Sequence, residues 1–196
     1  MEMNFTGAPH PQTPQPPCPV TASPGFLRQW CALFNMKVTL VKGEIETANM
    51  LAKGRTHANQ RPGKVNQLRS PAEQQELELN GMGAELAYCK AFNLWPDMTI
   101  GHRIGGEDCL HAGKTVDVKF TSYIHGDLYV TPDKRDKGVD VYALVTGWMP
   151  HYDIVGYATS DEIFRDNNLA DTGRGISYVV PRDKLHEYDD TSTGDA

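Results

Sequence analysis

Three residues between positions 108 and 119 have side chains suited to binding a metal ion and hydrolysing a phosphodiester bond. Asp108 and Asp117 supply two carboxylates with eight residues between them, and Lys119 follows two positions later. Carboxylate oxygens suit a hard divalent cation such as Mg²⁺, which stabilises charge on phosphate and generates hydroxide from water. The lysine can hold or deprotonate that water. Glu85, 23 residues before Asp108 in a helix-like segment, adds a further carboxylate.

A β-hairpin is the element that we expect to position the two aspartates. Two strand-like runs flank a Gly-containing turn at residues 111–114, and they are Glu107–Leu110 and Thr115–Tyr123. Side chains alternate along a strand, so Asp117 and Lys119 share one face while Val118 points into the core. We assume a register that sets Asp108 beside Asp117.

Helical segments precede the hairpin. Phe26–Met36 has apolar residues at helical spacing, and Gly43–Asn59 predicts a longer helix. A third helix begins at Ser70, with Pro71 at its first position and Glu73 completing a capping box, and is expected to run through Phe92. Its small residues at 81–84 allow close packing around Glu85.

Short strands follow the helices, which predicts an α/β fold with a central mixed sheet flanked by helices. The expected strands outside the hairpin are Met98–Ile104, Asp127–Thr131, Val139–Thr146 and Asp153–Ala158. A short helix is expected at Asp161–Phe164, capped by Ser160. The chain thus divides into a Pro-rich arm (1–25), a basic helical extension (26–69), a core (70–188) and a frayed tail (189–196).

Charge is distributed unevenly along the chain. The net charge is −6, yet residues 28–69 carry eight Lys/Arg against two Glu, whereas residues 70–196 carry eleven Lys/Arg against twenty-two Asp/Glu. A basic segment on an acidic body is able to follow a phosphate backbone while the body holds metal. Solvated helix faces explain the same pattern without a ligand.

Composition restricts where the protein works. No apolar run is long enough for a transmembrane helix, and the N-terminus lacks the pattern of a secretory signal. The four cysteines share no CxxC spacing, which favours reduced thiols over a disulfide framework or a zinc site. We therefore expect a cytoplasmic protein without a membrane partner, located in the host cytoplasm if a phage encodes it.

The order Glu85, Asp108 and Asp117-Val118-Lys119 resembles the PD-(D/E)XK nuclease superfamily over residues 70–165. In that family a helix glutamate, an aspartate opening a strand and a (D/E)-x-K on the next strand surround one or two divalent metals. Glu107 stands where the motif has proline, and Asp117 stands where Glu is commoner. The resemblance implies a restriction-endonuclease-like core with an N-terminal helical extension, as in small phage and bacterial proteins of this type.

The resemblance also implies roles for these residues. Asp108, Asp117 and the Val118 carbonyl would bind Mg²⁺ or Mn²⁺, Glu85 would complete the site directly or through water, and Lys119 would orient or activate the attacking water. The substrate would be duplex or branched DNA. A homodimer fits the family, whose small members often need a second subunit to cut both strands. The residues expected to contact nucleic acid are Lys53, Arg55, Arg61, Lys64 and Lys114.

Two other functions agree with the same residues. The chain could be an acidic interaction protein that mimics DNA charge or inhibits a partner, in which case Asp117→Ala should be tolerated. It could also bind nucleic acid on a nuclease fold without cutting it. The intact Asp108, Asp117 and Lys119 set argues against a decayed site, since loss of activity needs only one of them replaced.

Overall fold

The computed structural model describes residues 36–59, 70–100, 106–173 and 175–188, which belong to one packed unit. The Pro-rich arm, the frayed tail, Arg61, Lys64 and all but the last residue of the predicted helix Phe26–Met36 lie outside the described residues. Among the helices described, none combines the length and apolarity needed to cross a bilayer.

A five-stranded mixed sheet forms the centre of the fold, in the order β1-β6-β5-β3-β2. Its strands are β1 (Met36–Thr39), β2 (Cys109–His111), β3 (Lys114–Thr121), β5 (Val141–Trp148) and β6 (His151–Thr159). β3 and β5 run parallel, while the other neighbouring pairs are antiparallel. The predicted α/β class and central mixed sheet are confirmed.

A second, three-stranded antiparallel sheet has the order β4-β8-β7. It consists of β4 (Leu128–Val130), β7 (Leu169–Asp171) and β8 (Ile176–Val180). β4 and a 3-10 turn at Pro132–Lys134 lie in the connection between the parallel strands β3 and β5. This crossover therefore carries a lysine into the region beside β3.

Three α-helices are described: α1 (Lys42–Asn59), α2 (Pro71–Ala91) and α3 (Ser160–Ile163). The predicted capping box of α2 is confirmed, because the Ser70 hydroxyl accepts from the Glu73 amide and the Glu73 carboxylate accepts from the Ser70 amide. α3 begins one residue earlier than expected, since Thr159 is its N-cap and forms a capping box with Glu162.

Two hydrophobic cores lie on opposite faces of the central sheet. The helix-side core joins Leu51 of α1 and Ala87 of α2 to Val116 and Val118 of β3. The other core contains Tyr142 of β5 together with residues of the small sheet. α1 thus supplies part of the core although it lies in the predicted basic extension. Alternation along β3 turns Asp117 and Lys119 away from the helices.

The predictions for individual elements had mixed outcomes. The hairpin, the strands near 128–130, 141–148 and 151–159, and both long helices are confirmed. The strand predicted at Met98–Ile104 is wrong for its described part, because residues 98–100 form no regular structure. β1, β7 and β8 were not predicted; β1 contains Met36, which the sequence placed in a helix.

Candidate active site

Asp117 is a buried carboxylate that two lysines neutralise. The residue is 3% exposed. Its Oδ1 pairs with the Nζ of Lys119, two positions along the same strand, and its Oδ2 lies 3.0 Å from the Nζ of Lys134. A buried charge requires such compensation, because desolvation of an unpaired carboxylate is very unfavourable. The two ammonium groups remain partly exposed, so the cluster opens toward solvent.

Tyr142 supports both lysines. Its side chain is fully buried beside Asp117, with which it is paired across the parallel strands β3 and β5. The Lys119 ammonium lies 5.6 Å from the centre of the Tyr142 ring, within cation–π range. The Tyr142 hydroxyl donates to the Lys134 carbonyl at 3.2 Å. One aromatic residue therefore contacts a lysine on the strand and the turn that carries the other lysine.

The ionisation of Tyr142 reflects this surrounding. Burial raises the pKa of its hydroxyl, and the negative charges of Asp117 and Asp133 raise it further. Asp133 precedes Lys134 in the 3-10 turn, and its own pKa is lowered, first by a hydrogen bond from the Thr131 side chain. The tyrosine is consequently a neutral hydrogen-bond donor at physiological pH, and it serves as support for the charged cluster.

Asp108 is the second buried carboxylate of the hairpin, at 5% exposure. Its amide donates to the Val116 carbonyl at 2.7 Å, and its Oδ2 accepts from the Val118 amide at 2.7 Å. The Asp108 carboxylate thus accepts the hydrogen bond that a backbone carbonyl of a neighbouring strand would otherwise accept from β3. Extending the register Cys109↔Val116 by one step sets Asp108 opposite Asp117.

Glu85 has a strong partner on the helical side of the sheet. The Arg55 Nη1 donates to its Oε2 at 2.9 Å. The same guanidinium donates to the carbonyls of Asp97 (2.6 Å) and Thr99 (3.2 Å). Arg55 is buried, because α1 packs against α2. Its fork joins α1, α2 and the segment after α2, which is an internal structural role.

The buried Cys89 thiol lies within the electrostatic range of both Glu85 and Asp108. The pKa of the Cys89 thiol is raised, first by its hydrogen bond with Cys109 and then by burial. The negative charges of Asp108 and Glu85 raise it further. Cys89 follows Glu85 by one helical turn and Cys109 follows Asp108 directly. Both carboxylates therefore lie close enough to the Cys89 thiol to disfavour its thiolate form.

The predicted nucleic-acid contacts differ in their surroundings. Lys53 and Lys114 are exposed, whereas Arg55 is engaged by protein oxygens. The sequence reasoning missed Lys134. Its sequence signal is weak, since a lysine after Pro132 and Asp133 is typical of any surface turn. Only the crossover from β3 to β5 brings it to Asp117, and that connection is a long-range feature.

The oxygen atoms available near Asp108 and Asp117 are of the chemical type that binds a hard cation. Two carboxylates, and the Val118 carbonyl between Asp117 and Lys119, are oxygen ligands of the kind that Mg²⁺ and Mn²⁺ prefer. Within the ranges that the structure describes, no three His, Cys, Asp or Glu side chains form a group able to hold a metal. The oxygen donors that the hairpin offers are thus the carboxylates of Asp108 and Asp117 and the Val118 carbonyl, while Glu85 is bonded to Arg55.

Comparisons with known proteins add no family to this description. Neither the protein-family models nor the curated proteins gave a significant match to the chain.

Proposed function

We propose that the protein is a metal-dependent nuclease that hydrolyses phosphodiester bonds of DNA. The observation that carries this proposal is the pair of buried carboxylates, Asp108 and Asp117, on adjoining hairpin positions, with the Lys119 ammonium against the second of them. Two such carboxylates are unfavourable to bury together unless positive charge accompanies them. A divalent cation and lysine provide that charge in a phosphodiesterase.

Each residue then has a distinct role. Asp108 and Asp117 would bind Mg²⁺ or Mn²⁺ together with the Val118 carbonyl, and the bound cation would neutralise charge on the phosphate and acidify water. Asp108 is held in place by the Val118 amide. Lys119 would exchange its contact with Asp117 for one with the attacking water, which its ammonium would orient. To deprotonate that water, the lysine would first have to lose its own proton.

Glu85 is assigned to the periphery of this site. The bond from Arg55 fixes its Oε2 on the helical side, near Cys89 and Asp108. Because Asp117 and Lys119 face away from the helices, this carboxylate would act on the site only through its negative charge. The exposed Lys53 and Lys114 supply charge that DNA would contact. Under this proposal the fold is a restriction-endonuclease-like core, and a homodimer would supply a second site for cutting the second strand.

A non-catalytic acidic interaction protein is the second candidate. The observation in its favour is that Asp117 is already neutralised by Lys119 and Lys134, as in a cluster whose purpose is stability. The imbalance of twenty-two acidic against eleven basic residues in 70–196 agrees with a partner of positive charge. Such a protein would neither cut DNA nor depend on a divalent cation.

Cleavage assays separate the two functions. Supercoiled plasmid and single-stranded DNA would be incubated with Mg²⁺ or Mn²⁺ and with wild type, Asp117→Asn or Lys119→Met. We expect wild type to cut and each variant to lose roughly 10²–10⁴-fold in rate. Lys37→Met, an exposed lysine on the edge strand β1, is the matched control and should cut as wild type does. Metal-independent cutting, or equal cutting by Asp117→Asn, would contradict the proposal.

A further inference from the structure

The charge arrangement at Asp117 exceeds what burial of one carboxylate requires. One ammonium is enough to neutralise one carboxylate, yet each oxygen of Asp117 has its own lysine. Lys134 is 29% exposed, and holding a long, partly exposed side chain in one position loses conformational entropy. The Lys134 ammonium is therefore a partly exposed cation that can exchange its partner when another charge enters the site.

We propose that Lys134 binds the phosphate group next to the cleaved bond; this assignment rests on the proposed nuclease function. The Lys134 ammonium lies 3.0 Å from Oδ2 of Asp117. A divalent cation bound to Asp117 would compete with this ammonium for the negative charge of the carboxylate. Repulsion from the cation then favours movement of Lys134 toward the nearest anion in the site. In a phosphodiesterase that anion is the substrate phosphate, for which a lysine is a suitable point charge.

The backbone around Lys134 is well placed for this role. The Lys134 amide donates to the Thr131 carbonyl at 3.0 Å, and its carbonyl accepts from the Tyr142 hydroxyl at 3.2 Å. The turn that carries the lysine is thus attached to the buried residue beneath Lys119. Movement of the Lys134 side chain leaves this attachment intact, so the ammonium can change partner while its Cα stays fixed.

The neighbouring charges set the sign of the local field. Asp133 lies beside Lys134, and its pKa is lowered by the Thr131 side chain and, more weakly, by Lys134 and Lys137. In the free protein Asp108, Asp117 and Asp133 supply three negative charges, and Lys119, Lys134 and Lys137 supply three positive charges. A bound divalent cation leaves the group with excess positive charge. Phosphate is attracted to Lys134 in the metal-bound protein more strongly than in the free protein.

The test compares Lys134→Met and Lys134→Arg with Lys119→Met in the full chain. Steady-state cleavage of a labelled oligonucleotide with Mn²⁺ gives kcat and KM, and fluorescence anisotropy with Ca²⁺ gives the Kd for the same oligonucleotide. We expect Lys134→Met to raise KM and Kd about tenfold while kcat stays within a few-fold. Its salt slope, log Kd against log[salt], should fall by roughly 0.7–0.9. Lys134→Arg should restore binding, whereas Lys119→Met should reduce kcat.

The control is Lys137→Met, an exposed lysine in the same connection. It removes the same charge and should leave Kd and the salt slope near the wild-type values. Wild-type cleavage with an unchanged KM, Kd and salt slope in Lys134→Met overturns the Lys134 assignment alone. A wild type that binds DNA without cutting it overturns the nuclease function. In that case the Kd values from anisotropy still show whether Lys134 contributes to DNA binding. A wild type that neither binds nor cuts overturns both.

Discussion

The Val118 amide donates a hydrogen bond of 2.7 Å to the Asp108 carboxylate. This bond joins the residue before β2 to the middle of β3, at the position between Asp117 and Lys119. It therefore fixes one candidate metal ligand relative to another through the backbone. The relationship makes Asp108 both a structural residue of the hairpin and a residue of the proposed site, and the two roles are separable by substitution.

Replacement of Asp108 by Ala and by Asn separates these roles. Alanine leaves the buried Val118 amide without this acceptor, which should lower the free energy of unfolding by about 1–3 kcal/mol. Asparagine retains an acceptor oxygen and should cost less. Both variants lose the negative charge, so both should lose cleavage. Urea unfolding of the two proteins checks the difference, and equal stability would show that the hydrogen bond contributes little to the hairpin.

Arg55 is predicted to act on stability and only indirectly on the site. Arg55→Met removes the donor of Glu85 and of the Asp97 and Thr99 carbonyls, and should destabilise the protein by roughly 1–3 kcal/mol because buried acceptors lose their donors. Arg55→Lys should cost less but cannot reproduce the three-way fork. Lys53→Met, exposed on the same helix, should change stability by no more than about 0.5 kcal/mol.

That comparison also tests the phosphate contact predicted for Arg55 from the sequence. If Arg55→Met kept wild-type stability in urea and weakened DNA binding instead, the guanidinium would have to be released from Glu85 to contact DNA. An unfolding midpoint that falls for Arg55→Met and stays for Lys53→Met would support the internal role.

Two glycines of α2 should respond to alanine in opposite directions. A Cβ at Gly83 would lie 2.7 Å from the Met149 Cε and would overlap the Tyr152 hydroxyl, which is fixed by its bond to the Asn80 carbonyl. Gly83→Ala should therefore be destabilising by about 1–3 kcal/mol. Gly81 has open space around its Cα, so Gly81→Ala should stabilise the helix by roughly 0.5–1 kcal/mol. Thermal unfolding of both variants measures the contrast.

Glu162 should make folding stability depend on acid pH. The Thr159 amide, followed by the contact with His186, lowers the pKa of this carboxyl from about 4.5 to about 2. Because the folded pKa is the lower one, the carboxylate stabilises the fold fully above about pH 4.5, and this contribution disappears as pH falls through about 2. Glu162→Gln keeps an acceptor without the charge. The difference in urea midpoint between wild type and this variant should shrink from pH 7 to pH 3, and a constant difference would contradict this origin.

The elements with local signals were predictable from sequence. The Ser70–Glu73 capping box and the Gly-containing turn at 111–114 specify their structures within a few residues, so α2 and the hairpin were found. β1, β7 and β8 were missed because they are short, and β1 and β8 also depend on partners far along the chain. β1 pairs with β6, and β8 pairs with β4, across more than forty residues in each case.

The site was predictable in part for the same reason. Asp108, Asp117 and Lys119 belong to one hairpin, so their proximity follows from local spacing. Lys134 reaches Asp117 through the crossover to β5, and the partner of Glu85 comes from α1. Such contacts depend on how distant elements pack. Periodicity and turn signals describe single elements, which is why neither contact could be anticipated.

Calorimetric titration of Mn²⁺ into wild type and Asp117→Asn tests the central claim most directly, since it measures cation binding without requiring the correct DNA substrate. We expect saturable binding to wild type and its loss in Asp117→Asn, with both proteins folded by circular dichroism. Binding should be retained in Lys37→Met. Absence of Mn²⁺ binding to wild type, or equal binding to Asp117→Asn, would contradict a metal site at the Asp108–Asp117 pair.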